Sequence, residues 1–267
     1  MRILFLLFLS LACLKGISQI TVDATVNETQ AMQTLLGENV TISNLQFTGF
    51  NDQIGTFTCV DCGLDFEEGV ILATGSVETA LGPNQSGSNT IGGSFGSGSD
   101  IDLDILNPNS AGDFNDIAVL EFDFVSLGDS VWFDYVFASD EYPEFSGSAF
   151  NDTFGFFMSG PGISGPYSNN SENLALIPGT DIGVTINNVN AGTAGTAQEG
   201  DAECNNCEFY ENNGTGQMGQ PQYDDPNVMG YDGFTVGLRA IRGDSRFKSH
   251  KRWFNLRRNL SFKDSHS

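Results

Sequence analysis

The sequence predicts an all-β fold, a β-sandwich of jelly-roll type with one short N-terminal helix and long Gly/Ser/Asn-rich loops. Three observations carry this reading. Short apolar runs of period two recur along the chain and end at Gly, Pro, Asn or Asp, as strands and turns do. A helical period occurs once. Finally, 22 Phe in 267 residues supply bulky, strand-favouring side chains for one sizeable core. Many short strands at this spacing suit a sandwich or barrel better than a parallel sheet.

The chain begins Met1-Arg2, continues as an apolar run from Ile3 to Leu14, and turns small and polar through Gly16 and Ser18. This is the pattern of a cleaved secretory signal, so residues 1–19 are expected to be removed. The run is too short to cross a bilayer, and nothing later approaches the roughly 20 apolar residues of a membrane helix. Ile20 to Ala24 alternates weakly and fits a first strand. Asn27 to Leu36 has an N-cap at Asn27, helix formers after it and Gly37 as a stop, which predicts the helix. Val40 to Thr48 alternates as a strand whose apolar side changes midway, the mark of a bulge. Ile54 to Thr58 and a buried Gly69 to Thr74 are the next strands, followed by a surface loop from Gly82 to Ser99.

Asp100, Asp102 and Asp104 imitate the start of a calcium loop, but the sixth and twelfth positions are Ile105 and Ala111 where an EF-hand has Gly and Glu. Ile101, Leu103 and Ile105 alternate with the acids, so a half-buried strand is expected. Ile117 to Val125 and Val131 to Ala138 are the clearest strands, and the five-residue Ser126–Ser130 connection containing Gly-Asp predicts an antiparallel hairpin. Phe133, Tyr135 and Phe137 share one face, with Trp132, Val136 and Ala138 on the other beside Asp134, so both faces read as largely covered. Thr153 to Met158, Leu174 to Ile177 and Val184 to Val189 complete the strand series.

Charge is distributed unevenly. From Gly16 to Leu238 there is no Lys, Arg or His, yet that span holds every one of the 34 Asp and Glu except Asp244 and Asp264. Such a body repels nucleic acid and anionic membrane, and multivalent cations are its natural counter-charge. It also excludes His-dependent nucleophiles, Lys Schiff bases and Arg phosphate clamps. Nine of the 11 Lys and Arg lie in residues 239–267. That reversal marks 239–267 as a basic tail, expected to be a truncated or frame-shifted end, the alternative being a basic anchor for an acidic polymer. The domain proper is therefore 20–238.

Several motifs in order carry a family resemblance: Phe137-Ala-Ser-Asp-Glu-Tyr-Pro-Glu-Phe145, Phe150-Asn-Asp-Thr-Phe-Gly-Phe-Phe157, Ser159-Gly-Pro-Gly162, Asp116-Ile-Ala-Val-Leu-Glu-Phe-Asp-Phe124 and Tyr231-Asp-Gly-Phe-Thr235. Over Thr34 to Leu238 the chain resembles the choice-of-anchor L domain. The resemblance implies a secreted or cell-surface module of the Bacteroidota, with type IX secretion sorting where the native C-terminus is present. It transfers no catalytic residues, and it implies further closing strands beyond the Tyr-Asp-Gly-Phe-Thr motif.

Outside the signal the cysteines form Cys59-x-x-Cys62 and Cys204-x-x-Cys207. Paired CxxC can hold zinc, but in an exported chain disulfides are the expected state, closed locally or across the two motifs. Asp140, Glu141, Glu144, Asn151 and Asp152 crowd the loop between two aromatic strands, and Asp224, Asp225, Asn227 and Asp232 form a second acidic group. Calcium takes six to eight oxygen ligands of these kinds, so Ca2+ is the expected cofactor. Tyr142, Phe145 and Tyr167 beside the loop are candidates for stacking on sugar rings. The expected function is a non-enzymatic binding or adhesion module for an extracellular glycan or surface protein. The alternatives are a carboxylate-pair glycoside hydrolase using Glu141 and Asp152, and a structural spacer in a larger surface protein.

Overall fold

The computed structural model describes residues 19–36, 40–84, 96–108, 112, 114–126, 130–143, 145–148, 150–192, 204–214 and 229–243, and the backbone of 252–260. In chain order the elements are β1 (Gln19–Asp23), α1 (Glu28–Leu35), β2 (Val40–Thr48), β3 (Ile54–Val60), β4 (Glu68–Leu72), β5 (Ser97–Gly98), α2 (Ile101–Leu106), β6 (Phe114–Ser126), β7 (Ser130–Tyr135), β8 (Ala138–Ser139), β9 (Thr153–Ser159), β10 (Glu172–Asn173), β11 (Tyr210–Asn212), β12 (Gly233–Thr235), β13 (Leu238–Gly243) and β14 (Arg252–Leu260). The largest sheet runs β10-β9-β14-β6-β2, with β5 beside β6; the others are β1-β3-β4, β11-β12-β8 and the ribbon β13-β7. The fold is mostly β, as the sequence predicts, but none of these sheets closes or curls on itself into a jelly roll.

Local signals translate directly. Asn27 Oδ1 accepts from the Gln30 amide and Gln30 Oε1 accepts from the Asn27 amide, both at 3.0 Å, so α1 starts with a reciprocal capping box. Its inner face buries Ala31 and Met32. The expected irregularity in β2 is a register shift between Ser43 and Gln46, with Asn44 at φ 53° turned so that its side-chain amide reaches Asp123 Oδ2 at 2.6 Å.

Five expectations need correcting. Residues 101–106 are a helix: Asp100 caps it by accepting from the amides of Asp102 and Leu103. Only Leu103 of the alternating apolar set is buried, while Ile101 and Ile105 are exposed. Second, β6 and β7 are not a hairpin. Both edges of β6 are already taken, by β2 and β14, so β7 pairs instead with β13 in another sheet. Third, the two faces of β7 are not both covered, because Trp132 is 52% exposed and Asp134 also faces solvent. Fourth, Leu174 to Ile177 and Val184 to Val189 are buried loops held by single bridges. Ala175, Ile177, Val184, Ile186 and Val189 nevertheless reach the main core, so their apolar character has a packing cause without a strand. Fifth, Gly69 to Thr74 is a strand only to Leu72, and a half-buried one.

The main core is built from alternate residues of two strands, Leu120, Phe122 and Phe124 of β6 and Phe154, Phe156 and Met158 of β9, with α1 and the buried loops around them. Every residue of β9 is buried, its second face packing on α2 and on Tyr167, whose ring lies 4.7 Å from that of Phe157. The backbone of β14, within the segment set apart as a basic tail, lies between β6 and β9.

One buried amide joins three parts of this frame. Gln53 is fully buried; its Nε2 donates to Thr74 O at 2.7 Å and Asp116 O at 2.9 Å, and its Oε1 accepts from the Phe50 amide at 2.8 Å. Gln53→Leu removes all three bonds at a fully buried site. It is expected to cost about 2–4 kcal/mol by urea denaturation, against about 1 kcal/mol for Asn27→Ala at the helix cap.

Candidate functional site

The acidic loop lies between β8 and β9 and is held at both ends. At its start β8 pairs with β12, Ser139 opposite Gly233 and Ala138 opposite Phe234. Thr235 strengthens the junction: its Oγ1 accepts from the Phe137 amide, and its own amide donates to Phe137 O. Gly233 is required there, because a Cβ would sit 2.5 Å from the Tyr210 hydroxyl. Along the loop Asn187 acts as a staple. Its Oδ1 accepts from the Gly147 amide at 2.6 Å, its Nδ2 donates to Ser148 O at 2.9 Å, and its amide donates to Asn151 Oδ1 at 3.1 Å.

This frame turns two carboxylates inward. Asp152 is fully buried, and its Oδ2 accepts from Ser139 Oγ at 2.6 Å. The same hydroxyl accepts from the Glu141 amide at 3.1 Å. Glu141 is only 7% exposed, and its Oε2 is buried without a hydrogen-bond partner among the described groups. Burial pushes the Glu141 carboxyl up from its ordinary value of 4.5 to about 10, with the negative charges of Asp152 and Asp140 adding to the effect. Near neutral pH this side chain therefore carries a proton, or a cation must take the proton's place.

The other expected site residues are dispersed. Asp232 is buried beside the partner of Ser139, and its Oδ1 accepts from Asn84 Nδ2 at 2.7 Å. Glu144, Asp224, Asp225 and Asn227 lie outside the described residues. Asn151 uses its side-chain oxygen on Asn187. Among the described residues, no three His, Cys, Asp or Glu side chains are grouped as a ready-made metal cage.

Of the aromatics proposed to stack on sugars, Tyr142 does not fit. It is fully buried, donates to Val189 O at 2.7 Å and packs on Tyr210 with ring centroids 4.8 Å apart, so it has no face to offer. Phe145 packs edge-on against Phe150 at 5.3 Å, and Tyr167 rests on Phe157. Burial and the charge of Asp102 raise the Tyr167 pKa. Sequence reasoning missed an aromatic that is open. Trp132 faces solvent on the β7–β13 ribbon, opposite Ile241, with the Arg239 guanidinium 5.7 Å from its ring centroid and paired to Asp134. The signal was present as the alternation of Trp132 and Asp134, which puts Trp132 on the same face as a charge.

The cysteines settle as two local disulfides, Cys59–Cys62 and Cys204–Cys207, with Cα separations of 5.4 and 5.6 Å. The model of the Choice-of-anchor L domain matches residues 19–243. The chain belongs to the choice-of-anchor L family. No curated protein and no solved structure matches it. The match runs past Leu238 to the end of β13, so the first part of the segment expected to be a separate tail lies within the family domain. Choice-of-anchor L domains are generally found in secreted and surface proteins, and no helix among the described residues is long and apolar enough to cross a membrane. Two of the motifs that carry the resemblance meet here, as Phe137–Phe145 supplies Ser139 and Glu141 while Tyr231–Thr235 supplies the strand that holds them. A glycosidase pair must flank a bond that substrate and water can reach. Glu141 and Asp152 are buried, which agrees with a non-enzymatic module.

In metal-free buffer the unfolded chain releases the Glu141 proton near pH 4.5 and the folded one near 10, so folding takes up a proton between these values. Stability is therefore expected to fall as pH rises from 5 toward 10. Glu141→Gln keeps the shape without the ionisation. At pH 8 it is expected to be more stable than the parent by about 1–3 kcal/mol and to flatten the pH profile, as read by urea denaturation.

Proposed function

We propose that this choice-of-anchor L domain is an extracellular binding module whose acidic loop is ordered by calcium bound at Glu141 and Asp152. The observation that supports this reading is the buried Glu141 carboxyl, beside Asp152 and Asp140, in a body without a positive side chain from Gly16 to Leu238. A divalent cation from outside takes the place of the proton that Glu141 otherwise holds. Calcium suits the position because it accepts hydroxyl, carbonyl and water oxygens beside carboxylates, and needs no complete carboxylate cage. Ser146, a buried hydroxyl of the same loop without a hydrogen-bond partner among the described groups, is a further oxygen for the shell.

For the ligand we favour a glycan or glycosylated surface polymer, with Trp132 as the stacking surface in place of Tyr142. Its ring is open to solvent, and Asp134 and Arg239 beside it offer hydrogen-bond partners for sugar hydroxyls. A protein ligand on the same face is the second outcome of a binding screen. Type IX sorting belongs to this proposal as the export route.

The cation is tested by thermal melting with chelator and with calcium. Saturating calcium is expected to raise the Tm by about 5 °C, and Glu141→Gln to abolish the rise while remaining folded. An unchanged Tm overturns the calcium reading. On a glycan array the full chain is expected to give a signal that Trp132→Ala lowers at least tenfold, and a blank array overturns the glycan ligand.

A further inference from the structure

The described residues leave the space between the β1-β3-β4 sheet and β7 unfilled. It forms a crevice of about 340 Å³, at the lower end of the roughly 300–1,000 Å³ of small-molecule sites. The crevice follows the seam between two hydrophobic clusters. Leu35, Phe133 and Phe156 on one side belong to the main core, and Ile20, Met229 and Tyr231 on the other belong to a second cluster. Phe57, Leu64, Ile71 and Val136 line it and are only half-buried, so their free surface is turned to the gap and not to one another. Interiors are normally close-packed, and side chains facing a gap forgo dispersion contacts that an apolar occupant restores.

The chemistry of the wall narrows the occupant. Its charged members are Glu68 and Asp134, with no Lys, Arg or His among the lining residues. Asp134 is engaged by Arg239, whereas Glu68 is exposed at the start of β4. An anionic head would face a carboxylate with no cation lining the wall; a hydroxyl or ammonium head would be complemented. Tyr135 also lines the crevice, with a buried hydroxyl that has no hydrogen-bond partner among the described groups. Burial raises its pKa, which keeps it a neutral donor.

We propose that this crevice binds an aliphatic chain bearing a hydroxyl or ammonium head, the chain lying against Phe57, Leu64, Ile71 and Val136 and the head toward Glu68. The site is separate from the Glu141 loop and does not depend on the calcium reading.

The test uses the full chain and the neutral fluorescent probe Nile red. Saturable binding is expected, with displacement by decanol and decylamine and at least tenfold weaker displacement by decanoate. Ile71→Trp fills the crevice and is expected to abolish probe binding with an unchanged melting curve; Leu64→Phe, a smaller intrusion from the loop before β4, serves if Ile71→Trp does not fold. Glu68→Gln is expected to bring decanoate to within about threefold of decanol. Absence of saturable probe binding overturns the proposal. So does equal displacement by decanoate in the parent chain, or full binding by a folded crevice-filling variant.

Discussion

From Gly16 to Leu238 the chain has no cation, and yet several of its carboxylates are inside. A buried charge must be paired or hydrogen-bonded, and here the donors have to be neutral. Asn44 serves Asp123, Asn84 serves Asp232, Ser139 serves Asp152, and the Ser168 backbone amide serves Asp102. Asn and Ser therefore do in this domain what Arg and Lys do in others, and the supply of such donors in the loops has a structural cause. Each of these bonds joins residues far apart in sequence, so the carboxylates pin β2 to β6, the loop after β4 to the β12 turn, and β8 to β9.

Glu141 is where this solution stops. It shares the Ser139 hydroxyl through its backbone amide, but the hydroxyl proton goes to Asp152, and the Glu141 carboxyl is left with two negative neighbours. Proton or cation must make up the difference. A ligand bound at such a point has leverage over stability, because it offsets both desolvation and repulsion. Positive side chains enter the described body only with β13. Arg239 pairs with Asp134 on the neighbouring strand, and Arg242 reaches Glu172 at 2.7 Å on β10, tying the ribbon to the edge of the large sheet.

Much of the local structure was legible because its causes are local. The Asn27 cap, the bulge in β2 and the strand β9 each depend on a few adjacent residues. The helix at 101–106 was misread because Ile101, Leu103 and Ile105 alternate; only the Asp100 cap, and a packing partner for Leu103 alone, decide against a strand. The loops at 174–177 and 184–189 carry strand-like apolar patterns because they plug the core, and burial does not require pairing. In the site, sequence singled out Asp140, Glu141 and Asp152 as a crowd of acids but could not tell which were buried. Tyr142 looked like a surface aromatic because the loop around it is polar, although Val189 and Tyr210 enclose it from elsewhere in the chain.

That the domain is mostly β, that it belongs with choice-of-anchor L proteins and that its charges are one-sided can be read along the chain, since strand periodicity, motif order and composition are properties of neighbouring residues. Packing of the whole chain decided that β6 and β7 part into different sheets, because that depends on β2 and β14 occupying both edges of β6. It also decided that the cysteines close locally, that the Ser139 hydroxyl goes to Asp152 while Glu141 Oε2 has no partner among the described groups, and that Trp132 is open to solvent. Each of these outcomes depends on competition for an edge, a donor or a covering surface among residues distant in the chain, and such competition is settled only when the whole chain is packed.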